Sequence, residues 1–457
     1  MVSALLFAYI VAYVDRLAIT FIVGDMRSDL GLSDAQIGLL IGFAFALFYA
    51  LCGLPLARLA DRYNRKKLII GGIVVWGLMT ALSAFASNFE LLLIARMGVG
   101  LGEAALVPAA MSLISSRFSP DERALPVSVF TSGSILGVSI AYAVGGVFFP
   151  FAEQISAGLE GEFAAWRVMF ILIAIPAFLA AVIMLFIEEP QRDRKAEEKD
   201  PLTFSLDKES VTRVIVSCKR GLPRAAPYMA FILGPSIILC YTFGLLSWIP
   251  AMMERSHAWP PQQTGAVLGA VFLVAGFIAP VLASFCVNKL GGDNKAVGAA
   301  NALLALNLVA VVPALLVPTL STPEFAIVAF GLFAVFGVAS MTVPQVGLQL
   351  IAPAHFKAQA AAIWLLFTNL FGLGLGPTIV AVLSDRLSAD GMKLDTALFY
   401  TGCGAFFLGC LSLLLLRPAV VGRSHSHLSQ DLPVKGGGAV FEGENLHQHR
   451  PDAERVV

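Results

Sequence analysis

The chain is 457 residues long, 58% apolar and only 14% charged, with 31 basic and 31 acidic side chains. A soluble domain carries about 25% charged residues, so the composition points to a membrane protein, and a net charge of zero with no basic face argues against a nucleic-acid partner. The six cysteines (52, 218, 240, 286, 403 and 410) are scattered, with no CxxC and no disulfide framework.

Twelve runs reach the roughly 20 apolar residues that a helical span requires. They lie near 2–23, 35–57, 68–87, 89–115, 124–150, 166–187, 226–250, 262–287, 295–317, 323–351, 358–383 and 396–416. The first begins almost at Met1 without a basic leader or a cleavage site, so it reads as a span and not as a removed signal peptide. A start further upstream stays open. The polar stretch 188–225 ("EEPQRDRKAEEKD…") divides the spans six and six. The expected organisation is a first bundle over 1–187, a cytoplasmic linker over 188–225, a second bundle over 226–416 and a disordered tail over 417–457. The histidines of that tail (425, 427, 447 and 449) could hold a metal, but a solvated tail is the simpler reading. Only four of the 31 Lys and Arg (Arg27, Arg255, Arg386, Lys393) fall in loops on one side. The bias places both termini in the cytoplasm of a multi-pass cell (inner) membrane protein.

The loop after the second span reads "ARLADRYNRKK" over 57–67, an acid at a helix end followed by a basic run. Its tight reversal calls for a residue that tolerates a left-handed backbone, and Asn64 suits that place. This loop, with twelve spans divided six and six, resembles the signature of the major facilitator superfamily, with Ala57 and Asn64 in place of its two usual glycines. The resemblance implies an all-α fold of two six-helix bundles. It also implies that Asp61 contacts the start of the eleventh helix near Lys357 and helps lock one conformation, with Arg62, Arg65 and Arg123 in the same loop motif. The halves repeat: "VNKLGGDNK" (287–295) follows the eighth span with Asn288 at the acid's place, Pro108 matches Pro344, and Gly133 and Gly137 match Gly372 and Gly376. Parallel halves place a site near the midplane between them.

The segment "LIARMGVGLGEAALVPAAMSLISSRFSPDERA" (93–124), with "YVDR" in the first span, is similar to the Spinster-like branch, which includes exporters of lysolipids and sphingoid phosphates, some proton-dependent. Anion–cation symporters share the Tyr-x-Asp-Arg motif and are the nearest competitor. The fifth span, "GSILGVSIAYAVGG", lacks the proline of the antiporter signature. The strings "GVGLG" and "GLGLG" follow no strand and read as helix packing, not phosphate loops. No nucleophile triad, metal spacing or cofactor fingerprint argues for an enzyme.

Charge inside a span is costly and is by default functional. Tyr9, Tyr13, Arg16 and Thr20 share one face of the first span, while Asp15 lies on a stripe of small residues with Ala8 and Ala12. Arg96 and Glu103 are seven apart on the fourth. The simplest charge balance pairs Arg16 with Glu103 across the cavity, with Asp15 competing for the same guanidinium; the alternative is a static salt network. The second half has no deep charge and offers Tyr241 and Trp248, Gln345 and Gln349, and Trp364, Thr368 and Phe371 as cavity stripes or as core. The resulting expectation is an alternating-access transporter that exports an amphipathic, lipid-like substrate with proton coupling through Glu103 and Asp15. It is expected to work as a monomer in the bilayer without cofactor or metal. A symporter of a small organic anion and a transport-inactive sensor or scaffold are the rivals.

Overall fold

The computed structural model describes residues 1–119, 121–159, 163–189, 222–352, 357–388 and 394–430. Most of the expected linker, and the tail beyond 430, lie outside the described residues. Among the described residues, twelve helices are long and apolar enough to span a membrane: α1 (Val2–Phe21), α2 (Asp34–Gly53), α3 (Arg65–Ser83), α4 (Phe89–Arg117), α5 (Ala124–Gly158), α6 (Ala165–Leu185), α7 (Ala226–His257), α8 (Pro261–Gly291), α9 (Lys295–Leu316), α10 (Pro323–Ile351), α11 (Ile363–Leu387) and α12 (Leu394–Gly422). The α2 helix continues to Arg62. The final helix runs on to Gln430, past the boundary expected for a disordered tail. Extending a formed helix costs far less than nucleating one, so a polar continuation can stay helical.

Local chemistry sets the breaks. Asn64 has φ −65° and ψ 113°, an extended and not a left-handed conformation, because its side chain caps α3 by accepting from Lys67 N. The left-handed residue expected there is not needed. In α4 the helix stops at Glu103 and resumes at Leu106. Pro108 has no N–H to give the Ala104 carbonyl, so the interruption falls directly after the buried acid. α2 and α11 each carry a π-helical segment, Leu39–Phe43 and Thr368–Leu375, and these two segments meet.

We call the end holding Met1 and the 62–64 turn the terminal face, and the opposite end the far face. The two bundles touch mainly along α5–α8 and α2–α11. All the hydrogen bonds described between them lie in the far half: Tyr142 Oη donates to the Leu246 carbonyl at 2.7 Å, Thr378 Oγ1 to the Gly38 carbonyl at 3.1 Å, and the remainder cluster on Asp34 and Asp385. Gly146 and Gly265 let α5 and α8 meet through backbone. A Cβ on Gly265 would fall 2.4 Å from the Tyr142 carbonyl oxygen. Gly265→Ala should therefore separate α5 from α8 and destabilise this closed far face by about 1–3 kcal/mol. The check is a longer distance between labels on the two helices, at unchanged helicity.

Candidate functional site

The first site is a charged centre inside the first bundle. The Arg16 Nε donates to Glu103 Oε2 at 2.5 Å, and the Glu103 side chain is fully buried. Three rings surround the guanidinium, with Tyr13 at 5.1 Å and Phe45 and Tyr49 each at 4.8 Å from its central carbon. Aromatic faces attract a cation electrostatically, so Arg16 keeps some stabilisation even when its carboxylate partner changes state. Tyr9 extends the aromatic wall, stacked on Phe130 at 4.9 Å and edge-on to Tyr13 at 5.3 Å. Gly100 of the "GVGLG" string lets α4 approach α2 here; a Cβ on it would lie 2.5 Å from the Phe45 carbonyl oxygen.

Asp15 does not compete for Arg16. Its Oδ1 accepts from Arg96 Nη1 at 3.1 Å and its Oδ2 accepts from the Thr80 hydroxyl. Both charged side chains are about 1% exposed. Neighbouring helix residues point about 100° apart, which sends Asp15 towards α3 and α4 and Arg16 towards the aromatic wall. Two ion pairs therefore sit side by side. One is sealed among three helices, while Arg16 of the other keeps 11% of its side chain exposed. Glu103 Oε1, Arg96 Nε and Nη2, and Trp76 Nε1 are buried without a hydrogen-bond partner in the structure.

Several expected cavity residues lie elsewhere. Thr20 is buried and donates back to the Leu17 carbonyl at 2.6 Å, in a 3-10 turn packed on α7. Tyr241 is core of the second bundle, with its hydroxyl donating to the Ala314 carbonyl at 2.6 Å and its ring edge-on to Phe333 and Phe406. Trp248 is buried, and its Nε1 donates to the Pro377 carbonyl at 2.9 Å. Both aromatics carry a polar handle that finds a carbonyl inside the bundle. Gln345 is exposed, Gln349, Thr368 and Phe371 are half-buried, and Trp364 is buried. Phe371 stacks on Phe367 at 5.4 Å, and its carbonyl accepts from Cys240 Sγ at 2.9 Å.

In the loop motif, the Asp61 side chain lies outside the described residues. Arg62 is exposed. The buried Arg65 pairs with Glu189 at 3.0 Å and donates to Ser116 Oγ at 2.8 Å, both within the first bundle. Arg123 Nε donates to the Phe118 carbonyl at the end of α4.

A second cluster, at the far face, went unread in the sequence. Asp34 of α2 accepts two bonds from Arg255 of α7, at 2.9 and 3.0 Å, and a further one from Ser384 of α11 at 3.0 Å. Arg27 stands at 3.3 Å on its other side. Asp385 of α11 caps the N-terminus of α2, accepting from Asp34 N at 3.0 Å and Ala35 N at 2.7 Å. Each contact except that of Arg27 crosses between bundles, so the cluster is a latch on the closed far face. A capping box at Ser33–Gln36 marked the helix start, but nothing in the sequence marked its partners.

The chain matches the family model of the Major Facilitator Superfamily over residues 5–377. It is similar to an MFS-type efflux pump of Mycolicibacterium smegmatis, with 28% identity over 83% of this chain and 82% of that one. It is also similar to human protein spinster homolog 1, with 26% identity over 84% and 73% of the two chains. The hexuronate transporter of Bacillus subtilis is 31% identical, but over 45% of this chain and 49% of its own. Among solved structures, a bacterial homolog of the human lysosomal transporter Spinster, crystallised inward-facing and unoccupied, superposes with a TM-score of 0.75 at 24% identity, covering 95% of this chain and 98% of that one.

Proposed function

The chain belongs to the Major Facilitator Superfamily, and from that premise we propose that it exports an amphipathic, lipid-like substrate by exchanging the partners of Arg16 as Glu103 gains and loses a proton. Its fold is that of an alternating-access transporter of twelve spans, and the expected likeness to Spinster proteins is found in relatives and in architecture alike. The excess of Lys and Arg on the terminal face supports a cytoplasmic location for both termini. In that orientation the far face, where the two bundles are hydrogen-bonded, is the outer one.

The observation that carries the reading is the position of Arg16. Its guanidinium is held between one buried carboxylate and three rings, at the edge of the first bundle's packed core. A guanidinium suits paired contacts with phosphate or carboxylate. Once Glu103 is neutral, an anionic head group becomes its natural partner. Gln345, Gln349, Thr368 and Phe371 remain the second-bundle candidates for the rest of the substrate. Tyr241 and Trp248 leave that set, and the apolar side of the site is correspondingly smaller than the sequence suggested.

The same guanidinium, with the likeness to a hexuronate transporter, supports import of a small organic anion as the second reading. Binding to purified protein decides between them, using a lysophospholipid series of increasing tail length against small organic acids. Under the first reading affinity rises with tail length, Arg16→Ala removes discrimination for the charged head, and Phe371→Ala weakens mainly the long tails. Affinity for small acids with no influence of tail length would transfer the case to the symporter.

A further inference from the structure

We propose that a groove on the outside of the first bundle binds an anionic phospholipid of the terminal-face leaflet, with its phosphate at Lys67 and an acyl chain along the groove. The groove is a cleft of about 280 Å³ where α2, α3 and α4 meet, walled by Leu56, Leu68, Val75 and Leu101. It exists because α3 and α4 touch through backbone there: a Cβ on Gly72 would fall 2.6 Å from the Gly102 carbonyl oxygen, and one on Gly102 equally close to that of Gly72. Beside this contact Gly71 is exposed and has open space around its missing Cβ. The trough is therefore both narrow-floored and open outwards. Leu101, 40% exposed, marks its outward-facing wall.

Lys67 gives the groove its polarity. It stands in the first turn of α3, is exposed, and its side chain makes no ion pair among the described residues. From Lys67 to Val75 the helix advances about 12 Å, so one cation stands at the terminal-face end of an apolar trough running into the bilayer. Tyr63, 65% exposed at the end of the α2 helix, occupies the level where aromatic side chains anchor at a membrane interface. An anion with an apolar tail satisfies both ends at once, and basic pockets between spans are a known form of lipid-head recognition. Neither a free phosphate nor an uncharged hydrocarbon uses both. The α4 wall, Leu101, Gly102 and Ala105, brackets Glu103 in sequence, so lipid seated here would bear on the helix that carries the acid.

The test is lipid retention by the purified full chain, read by native mass spectrometry after reconstitution in nanodiscs of phosphatidylglycerol and phosphatidylcholine. Wild type should retain phosphatidylglycerol preferentially. Lys67→Gln should lower that preference by about fivefold, the effect of one basic residue near an anionic surface, without abolishing retention. Gly71→Leu should fill the trough and displace both lipids, with Gly71→Val as the milder variant if the leucine form misfolds. Inorganic phosphate and glycerol phosphate should not compete. Equal retention of the two lipids by wild type, undiminished retention by the Gly71 variants, or displacement by free phosphate would each overturn the proposal.

Discussion

Asp34→Ala should open the far face and shift the protein towards its opposite conformation. The Asp34 side chain is 2% exposed and is the common acceptor for Arg255, Arg27 and Ser384. Removing one member of a buried ion pair costs about 3–5 kcal/mol because the partner is left uncompensated. Arg255 is 25% exposed and can recover some hydration, which places the effect at the lower end, about 3 kcal/mol, or roughly two decades in the ratio of the two states. Asp385→Asn should act in the same direction but by about 1 kcal/mol, since it weakens a cap on α2 and not an ion pair. Pulsed electron spin distances between labels at Glu90 and Glu324, both exposed at the far face, read the shift directly. The exchanged pair, Asp34→Arg with Arg255→Asp, should restore part of the short-distance population. If Asp34→Ala leaves the distribution as in wild type, the cluster is not a latch.

How far the sequence could be read follows from what lipid demands of a chain. Spans must be apolar, so all twelve are visible in composition, and a charge within one is conspicuous enough to make Arg16 and Glu103 a pair before any coordinates exist. Adjacency on α1 says that Asp15 and Arg16 diverge, but not what each meets. Thr80, which binds Asp15, is one hydroxyl among many, and Phe45 and Tyr49 are ordinary aromatic residues of an apolar run. The latch was hidden for the opposite reason. Asp34 and Arg255 are 221 residues apart and lie at helix ends, where charges are common. Tyr241 and Trp248 misled because an aromatic stripe with helical spacing faces a bundle core as readily as a cavity. Only their hydrogen bonds to Ala314 and Pro377 separate the two cases. The cap made by Asn64 shows the same limit at shorter range: the residue type suits a left-handed turn or an N-cap, and the free N–H groups at the start of α3 select the second.

Glu103→Gln should abolish the pH response of the transporter and hold it in one conformational preference. Burial away from water favours a neutral carboxyl, whereas a guanidinium in contact favours the carboxylate. The two tendencies oppose each other at Glu103, which is shielded from solvent and bonded to Arg16. Any motion that lengthens the Arg16–Glu103 contact therefore promotes proton uptake, and proton uptake in turn frees Arg16 for an anionic cargo. Each unit of pKa exchanged in this way is about 1.4 kcal/mol of coupling, enough to bias states separated by a few kcal/mol. Glutamine keeps the shape of the protonated acid and cannot ionise, so the variant should behave at neutral pH as wild type does under acid. The sealed neighbour provides the control. Asp15 is held by Arg96 and Thr80 with almost no exposure, so Asp15→Asn should lower thermal stability by about 3–5 kcal/mol while a pH response remains. Measuring the two conformational populations and transport at acidic and neutral pH in wild type and both variants separates the roles. A full wild-type pH response in Glu103→Gln, together with its loss in Asp15→Asn, would move the proton site to Asp15 and make the Arg16–Glu103 pair the static one.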